Sequence, residues 1–402
     1  MDLVSFTAPV INQLRNSSMH NFSPHIVIIG NYGARNLGDE AVLDGILFEI
    51  KTHIPRSQIT VLSHNPKQTT ADHAVMAVPL FPAGLRSFAR GIFKFSLLRT
   101  LKSIKNAHVV IIGGGTLFAD EKIFAVFLWG MHGMIAYLLG KPIYIYANGI
   151  GPLRTFIGRK IASFILRKAR IVTLRDNTSL IHCKKLTLPQ RLIVTADPAF
   201  VLKKYSLKKT ASIKETKLVR PYIFVNYRSC SKQVKQNLSE IATFLDQVNK
   251  SYSLEVELVS FQEYREKDSK NLFKIFAQAK SKTQIHIHAE IYDYSQVISL
   301  IRKAQFVIGT RLHSIIFSIL EAKPFIAINY TQKVRAILED LGLDEYIIEP
   351  DQLSSEKLMN LFKQVYKKRH EISNQLAMIR QEQEEKAAQN IRKLIDFLAH
   401  KR

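Results

Sequence analysis

The chain has 402 residues, 47% hydrophobic and 22% charged, an ordinary balance for a folded protein and enough length for two cores. Lysine and arginine (57) exceed aspartate and glutamate (33), so at +24 the surface attracts polyanions, whether nucleic acid, anionic lipid or phosphorylated substrates. Cys183 and Cys230 are the only cysteines, which excludes a disulfide framework and a thiolate zinc cluster and suits a reducing cytoplasm.

Residues 1–24 read as an N-terminal extension without the basic start of a secretory leader. From residue 25 to 205 strand-like and helix-like segments alternate: "HIVIIG", "QITVLS", "AVMAVPLF", "HVVIIGGG", "PIYIYANGIG", "RIVTLRD" and "LIVTAD" are the strands. The first run breaks at Gly30 into a polar loop with Asn31, Gly33, Asn36 and Gly38, then enters a helix behind Asp39 and Glu40. Its spacing matches neither the dinucleotide fingerprint nor the P-loop. Asp39 and Glu40 either orient and deprotonate a hydroxyl or cap the helix.

Residues 84–107 interleave Arg86, Arg90, Lys94, Arg99, Lys102 and Lys105 with apolar positions, as a membrane-surface helix does and as an ordinary sheet-covering helix with a basic outer face also does. "IFAVFLWGMHGMIAYLLG", residues 123–140, is long enough to span a bilayer, but strand-like runs on both sides predict a buried inter-strand helix. Lysine, serine and threonine take over near residues 206–221, the expected linker. Alternation then resumes across 222–352 with "YIFVNYR", "LEVELVSFQ", "IHIHAEI", "QFVIGTR" and "PFIAINY", and 353–402 reads as helix. The expectation is an α/β protein with two Rossmann-like doubly wound domains facing a central cleft, a helical C-terminus, and ligands at the carboxyl ends of the strands.

Those strand exits carry the chemistry: "GNYGARNLGDE", "GGGTLFADE" with Gly114 and Gly115, "NGIGPL", "LRDNTS", "ADP", "NYRS", "FQEYREKD", "GTRLHS" and "NYTQKV". Their order, with "GNYGARNLGDEAVLDGI" first, "IIGGGTLF" second, "GIGPL" and "LRDNTS" in the middle and "GTRLHSIIFSILEAKPFIAINYTQKV" last, resembles the polysaccharide pyruvyl transferases, which are similar in architecture to GT-B glycosyltransferases. The resemblance covers roughly residues 25–340. One departure, Thr331–Gln332 where an Asp-Pro or similar pair often precedes the lysine, bears on the acceptor more than on the reaction class.

The resemblance implies that phosphoenolpyruvate, a co-substrate rather than a cofactor, gives its pyruvyl unit to a sugar as a ketal, with phosphate released. Such a reaction needs holders for a carboxylate and a phosphate, a proton donor for the enol methylene and a base for the hydroxyl. Arg175, Arg228 and Arg311 suit the anions because a guanidinium fork binds them bidentately; Lys333 supplies a point charge, with Ser314 nearby. His313, at a helix start, fits the acid or base role, and Asp39 and Glu40 are the other catalytic candidates. Gly30, Asn31, Gly33, Asn36, Gly38, Gly114, Gly115 and Gln262 are then expected on the acceptor side. No carboxylate–histidine cluster suggests a metal. The acceptor is a surface glycan or its precursor, lipid-linked or nucleotide-linked, and the enzyme is expected in the cytoplasm, meeting the inner face of an anionic membrane electrostatically.

A nucleotide-sugar glycosyltransferase is the nearest rival, separated by which donor is consumed. A nucleic-acid-binding protein is the rival of another class; it accounts for the charge but finds no zinc-finger spacing, RRM-like motif or basic heptad region here.

Overall fold

The computed structural model describes residues 22–82, 96–120, 123–186, 188, 191–202, 220–228, 234–263, 267–291 and 293–400. Most of the linker expected at 206–221 and residues 84–95 of the basic segment lie outside them.

The first domain is a seven-stranded parallel sheet in the order β3-β2-β1-β4-β5-β6-β7. Its strands are β1 (His25–Ile29), β2 (Gln58–Ser63), β3 (Met76–Pro79), β4 (Val109–Gly113), β5 (Ile143–Asn148), β6 (Ile171–Leu174) and β7 (Leu192–Val194). The second is a six-stranded parallel sheet, β10-β9-β8-β11-β12-β13, built from β8 (Tyr222–Asn226), β9 (Glu255–Val259), β10 (Ile285–His288), β11 (Phe306–Gly309), β12 (Phe325–Ile328) and β13 (Ile347–Ile348). Every apolar run singled out in the sequence forms a strand; β13 was missed because two residues carry no periodicity. The strands are apolar along almost their whole length because helices cover both faces. In each sheet the order reverses beside the first strand, at β1/β4 and at β8/β11, which opens a crevice at the carboxyl edge.

Helices α1 (Leu37–His53) and α2 (Pro66–His73) follow β1 and β2. The outer face of the first sheet is covered by α3 (Ser96–Asn106), α4 (Ile123–Leu138) and α5 (Phe156–Lys168), whose Ile104, Trp129 and Ile165 share one apolar layer with Val27, Val110 and Ile112. The long apolar stretch is thus the 16-residue inter-strand helix α4, and among the described residues no helix is long and apolar enough to cross a membrane. Helix α6 (Asn177–Lys184) follows β6 of the first sheet at the domain border, and α7 (Val234–Tyr252), α8 (Ser269–Gln278), α9 (Tyr294–Lys303), α10 (Leu312–Leu320), α11 (Gln332–Asp340) and α12 (Ser355–Lys367) surround the second sheet.

The last helix, α13 (Arg369–Ala399), returns to the first domain. Asn390, completely buried, fixes it there: its side-chain oxygen accepts from Thr173 Oγ1 (2.5 Å) and Thr195 Oγ1 (3.1 Å), its Nδ2 donates to the Ala387 carbonyl, and its own carbonyl accepts from the Tyr144 hydroxyl at 2.8 Å. The two domains also join directly. The Leu37 amide donates to the Phe261 carbonyl (3.3 Å), Asn36 and Gln262 form an antiparallel bridge, and the Asn177 amide donates to Asp340 Oδ2 (2.6 Å).

A buried charged relay completes the joint. His73 Nδ1 meets Asp44 Oδ1 at 2.6 Å and its Nε2 meets Glu40 Oε2 at 3.0 Å, while the Tyr294 hydroxyl of the second domain donates to Asp44 Oδ2 at 2.5 Å. Burial works to lower the His73 pKa, but the hydrogen bonds and charges of Asp44 and Glu40 prevail and hold it at about 9.

Two outcomes follow from these contacts. Asn390→Ala is expected to lower stability by roughly 1–3 kcal/mol, because the buried amide oxygen that Thr173 and Thr195 share is lost and each keeps only a strand carbonyl, read as a lower urea midpoint at unchanged slope. His73 is raised from 6.5, so its stabilisation is complete below about 6.5 and lost as pH rises through about 9. The urea midpoint of the wild type should fall between those values, and His73→Gln should flatten that decline.

Candidate active site

The loops after β1, β4, β5 and β6 and the segment after β7 reach the carboxyl edge of the first sheet, where α10 and α11 of the second domain close over them. The cleft between the domains is lined by Thr116, Gly149, Arg175 and His182 on one side and Gln332 and Lys333 on the other.

Asp197 is the hub of this joint. It is 1% exposed, and one carboxylate oxygen accepts from the Ala199 amide at 3.0 Å. The other stands 3.6 Å from Arg175 Nη1 and 3.7 Å from His313 Nε2, with no closer hydrogen bond to either. Burial favours the neutral acid, but His313 and Arg175 outweigh it and hold the Asp197 pKa below the ordinary carboxylate value. His313 begins α10 in the second domain and Arg175 follows β6 in the first, so this carboxylate couples the domains through charge.

Gly38 lets His313 in. A Cβ at position 38 would fall 2.1 Å from His313 Nδ1, so the imidazole occupies the volume that any other residue in the first turn of α1 would fill. The neighbouring Asp39 is partly exposed, and Asn31 Nδ2 donates to its Oδ2 at 2.7 Å. Enclosure by protein raises the Asp39 carboxyl to about 6 against the opposing Asn31 hydrogen bond and the charges of His313 and Lys333; Glu40 adds to the rise. Such a carboxyl changes protonation near neutrality. Gly115, at φ +71, brings the β4 loop alongside: a Cβ there would lie 3.4 Å from Asp39 Oδ1. Gly30 makes room for the Tyr32 ring, Gly33 for Ser63 and Gly114 for Val42, so these three serve packing of the loop.

Several candidates have internal partners instead of facing a ligand, a departure from the sequence reading. Arg311 presents its fork to buried Asp268, with Nε–Oδ2 at 3.1 Å and Nη2–Oδ1 at 2.6 Å. Ser314 is fully buried and donates to the Arg311 carbonyl, closing the first turn of α10. Glu40 accepts from the Gly33 amide and holds His73, while Asn36 caps α1 and, with Gln262, bridges the domains. Arg228 stacks on Tyr330, 4.8 Å from the ring centre. Arg175 lines the cleft, but its Nε already donates to Asp176 (3.2 Å) and its Nη2 to Thr116 Oγ1 (3.1 Å). The candidates brought together are Asp39, Asn31, His313, Lys333 and Arg175.

Thr116, His182 and Asp197 were not named as site candidates in the sequence, and Thr331 was noted only as a departure from the family pattern. Thr331 precedes α11 without capping it, and its buried hydroxyl has no hydrogen-bond partner. For Asp197 a signal existed, an aspartate before proline at a strand exit that other exits converge on. Thr116 and His182 are ordinary residues until the cleft forms around them.

A family model for polysaccharide pyruvyl transferase matches residues 36–332. The amylovoran biosynthesis protein AmsJ of Erwinia amylovora is 23% identical over 405 residues, taking in 88% of this chain and 94% of that protein. Among solved structures, the UDP-GlcNAc 2-epimerase of Neisseria meningitidis superposes with a TM-score of 0.64 at 13% identity, over 94% of this chain and 99% of its own. A glycosyltransferase from Rickettsia africae does so with a TM-score of 0.53 at 11% identity, over 92% and 94%. At such identities these two structures speak for the GT-B-like fold alone. The family model spans well over half of the sequence and includes the loop of Asp39, the hub Asp197 and the helix of His313: the chain belongs to the polysaccharide pyruvyl transferase family, transferases of polysaccharide biosynthesis.

Proposed function

We propose that the cleft transfers the pyruvyl unit of phosphoenolpyruvate to two hydroxyls of a sugar in a surface polysaccharide or its precursor, forming a pyruvate ketal and releasing phosphate. The observation that carries this reading is the nearness of Asp39, raised to about 6, to His313, itself beside buried Asp197, where the two domains meet next to the cleft. Lys333 and the start of α11, which Thr331 does not cap, offer the donor's phosphate a cation and the positive end of a helix dipole. The rim of α1 with Asn31 and Asp39 receives the sugar.

In this reading a sugar hydroxyl oxygen bonds to C2 of the enol as its proton passes to Asp39. C3 takes a proton from protonated His313, which lies beside Asp197, and the methylene becomes a methyl. The bond from C2 to the phosphate oxygen then breaks, and phosphate leaves with the proton held by Asp39. The second hydroxyl bonds to C2 and returns a proton to His313, which closes the ketal. Arg175 positions Asp197 and borders the cleft.

The test is phosphate release from phosphoenolpyruvate against a panel of glycan precursors. Asp39→Asn and His313→Ala should each lower turnover by about 10²–10⁴ while donor binding survives. Lys333→Ala should chiefly raise the KM for phosphoenolpyruvate, by the loss of a charge-assisted bond of about 1.5–3 kcal/mol. Because the base form of Asp39 starts the cycle, the rate should rise with pH through about 6, and Asp39→Asn should lack that limb. Release of a nucleoside diphosphate from a sugar nucleotide, with no phosphate from phosphoenolpyruvate, would overturn the reading.

A further inference from the structure

The proposed reaction leaves the outer face of the first domain unused, and that face has two properties that belong together. The first is an apolar ledge. Helices α4 and α5 run side by side in the same direction: a Cβ on Gly130 would meet Ile161 at 2.2 Å, one on Gly133 would meet Ile165 at 2.9 Å, and the Tyr137 and Phe164 rings lie 5.6 Å apart. Their first turns therefore stand together at the carboxyl edge of the sheet, beside the cleft, whose lining includes Pro152 just ahead of α5. At this edge Phe124 (55%), Phe127 (56%), Phe156 (67%) and Ile157 (55%) are exposed, and Leu98 (60%) is exposed in the first turn of α3 on the same face. Large apolar side chains gathered at one edge are a different matter from scattered ones, since such patches mark contact surfaces.

The second property is charge. Helices α3, α4 and α5 contain Arg99, Lys102, Lys105, Arg159, Lys160, Arg167 and Lys168 and no aspartate or glutamate. Arg159 is steadied at the ledge by the carbonyls of Leu153 (3.2 Å) and Arg154 (2.8 Å), and Lys160 Nζ stands 5.3 Å from the centre of the Phe156 ring. A row of aromatic side chains flanked by cations, with the nearby Asp120 carboxylate buried and taken up by the Arg154 and Thr155 amides, complements one surface in particular, the boundary between anionic headgroups and acyl chains.

We propose that the first turns of α4 and α5, flanked by α3, dock on an anionic phospholipid bilayer. Phe124, Phe127, Phe156 and Ile157 enter the headgroup boundary and Arg154, Arg159 and Lys160 meet lipid phosphates. The attachment is apolar as well as electrostatic, which differs from the purely electrostatic contact expected of residues 84–107. Resting on the reaction proposed above, it also names the acceptor class: a cleft held at the bilayer surface receives a sugar presented on a lipid carrier.

Vesicle co-sedimentation of the full chain tests the docking without substrate, so it stands or fails apart from the reaction. The wild type is expected to bind vesicles containing phosphatidylglycerol and to remain partly bound at high salt. Phe124→Ser/Phe127→Ser/Phe156→Ser should weaken partitioning at least about tenfold at both salt levels, with an unchanged thermal melt and unchanged turnover on a water-soluble acceptor. Arg159→Glu/Lys160→Glu, which leaves the apolar ledge intact, should weaken binding chiefly at low salt. The proposal is overturned if the wild type ignores anionic vesicles or if the triple variant binds as the wild type does. It is equally overturned if the ledge instead pairs two copies of the chain, seen as a dimer that the triple variant dissociates.

Discussion

A carboxylate removed from water needs compensating charge, and the way Asp197 obtains it organises the rest of the molecule. One of its oxygens takes the Ala199 amide; the other has Arg175 and His313 for company, each beyond ordinary hydrogen-bond length. Arg175 belongs to the first domain and His313 to the second, so the buried charge is fully compensated only when the domains are closed on each other.

The remaining contacts at the joint make that closure specific. Gly38 leaves a space of the size of the His313 ring, and the amide of the next residue back, Leu37, is tied to Phe261. The Glu40–His73–Asp44–Tyr294 relay holds the same helix, α1, from its other side. Asp39 is thereby placed between two anchored neighbours, with Asn31 fixing one oxygen. Its raised carboxyl is a product of this enclosure.

Parallel topology explains why the cleft and the apolar ledge share an edge. Each strand of the first sheet delivers its exit loop to the carboxyl side, and the helix that follows starts there before running back. Loops bearing Asp39, Thr116 and Arg175 therefore lie next to the first turns of α4 and α5. Under the proposed reaction and docking, this shared edge would hold the cleft for donor and acceptor beside the surface that meets lipid.

Alternating apolar runs and their polar exits were enough to read two doubly wound sheets, the inter-strand nature of α4, and the loops that converge. Those features are local: period, length and the residues that break a strand. The roles of Arg311, Ser314 and Glu40 were not legible, because a guanidinium fork or a carboxylate reads the same in sequence whether it faces a ligand or a buried partner such as Asp268 or His73. Nor was the hub, since Asp197 acquires its meaning from Arg175 and His313, which come from different strands and different domains. The return of α13 to the first domain was likewise decided by a distant match, Asn390 with Thr173 and Thr195. The sequence by itself determined the elements and which end of them would carry chemistry; only the tertiary structure decided which charged groups compensate one another, because burial and pairing are properties of residues brought together from far apart in the chain.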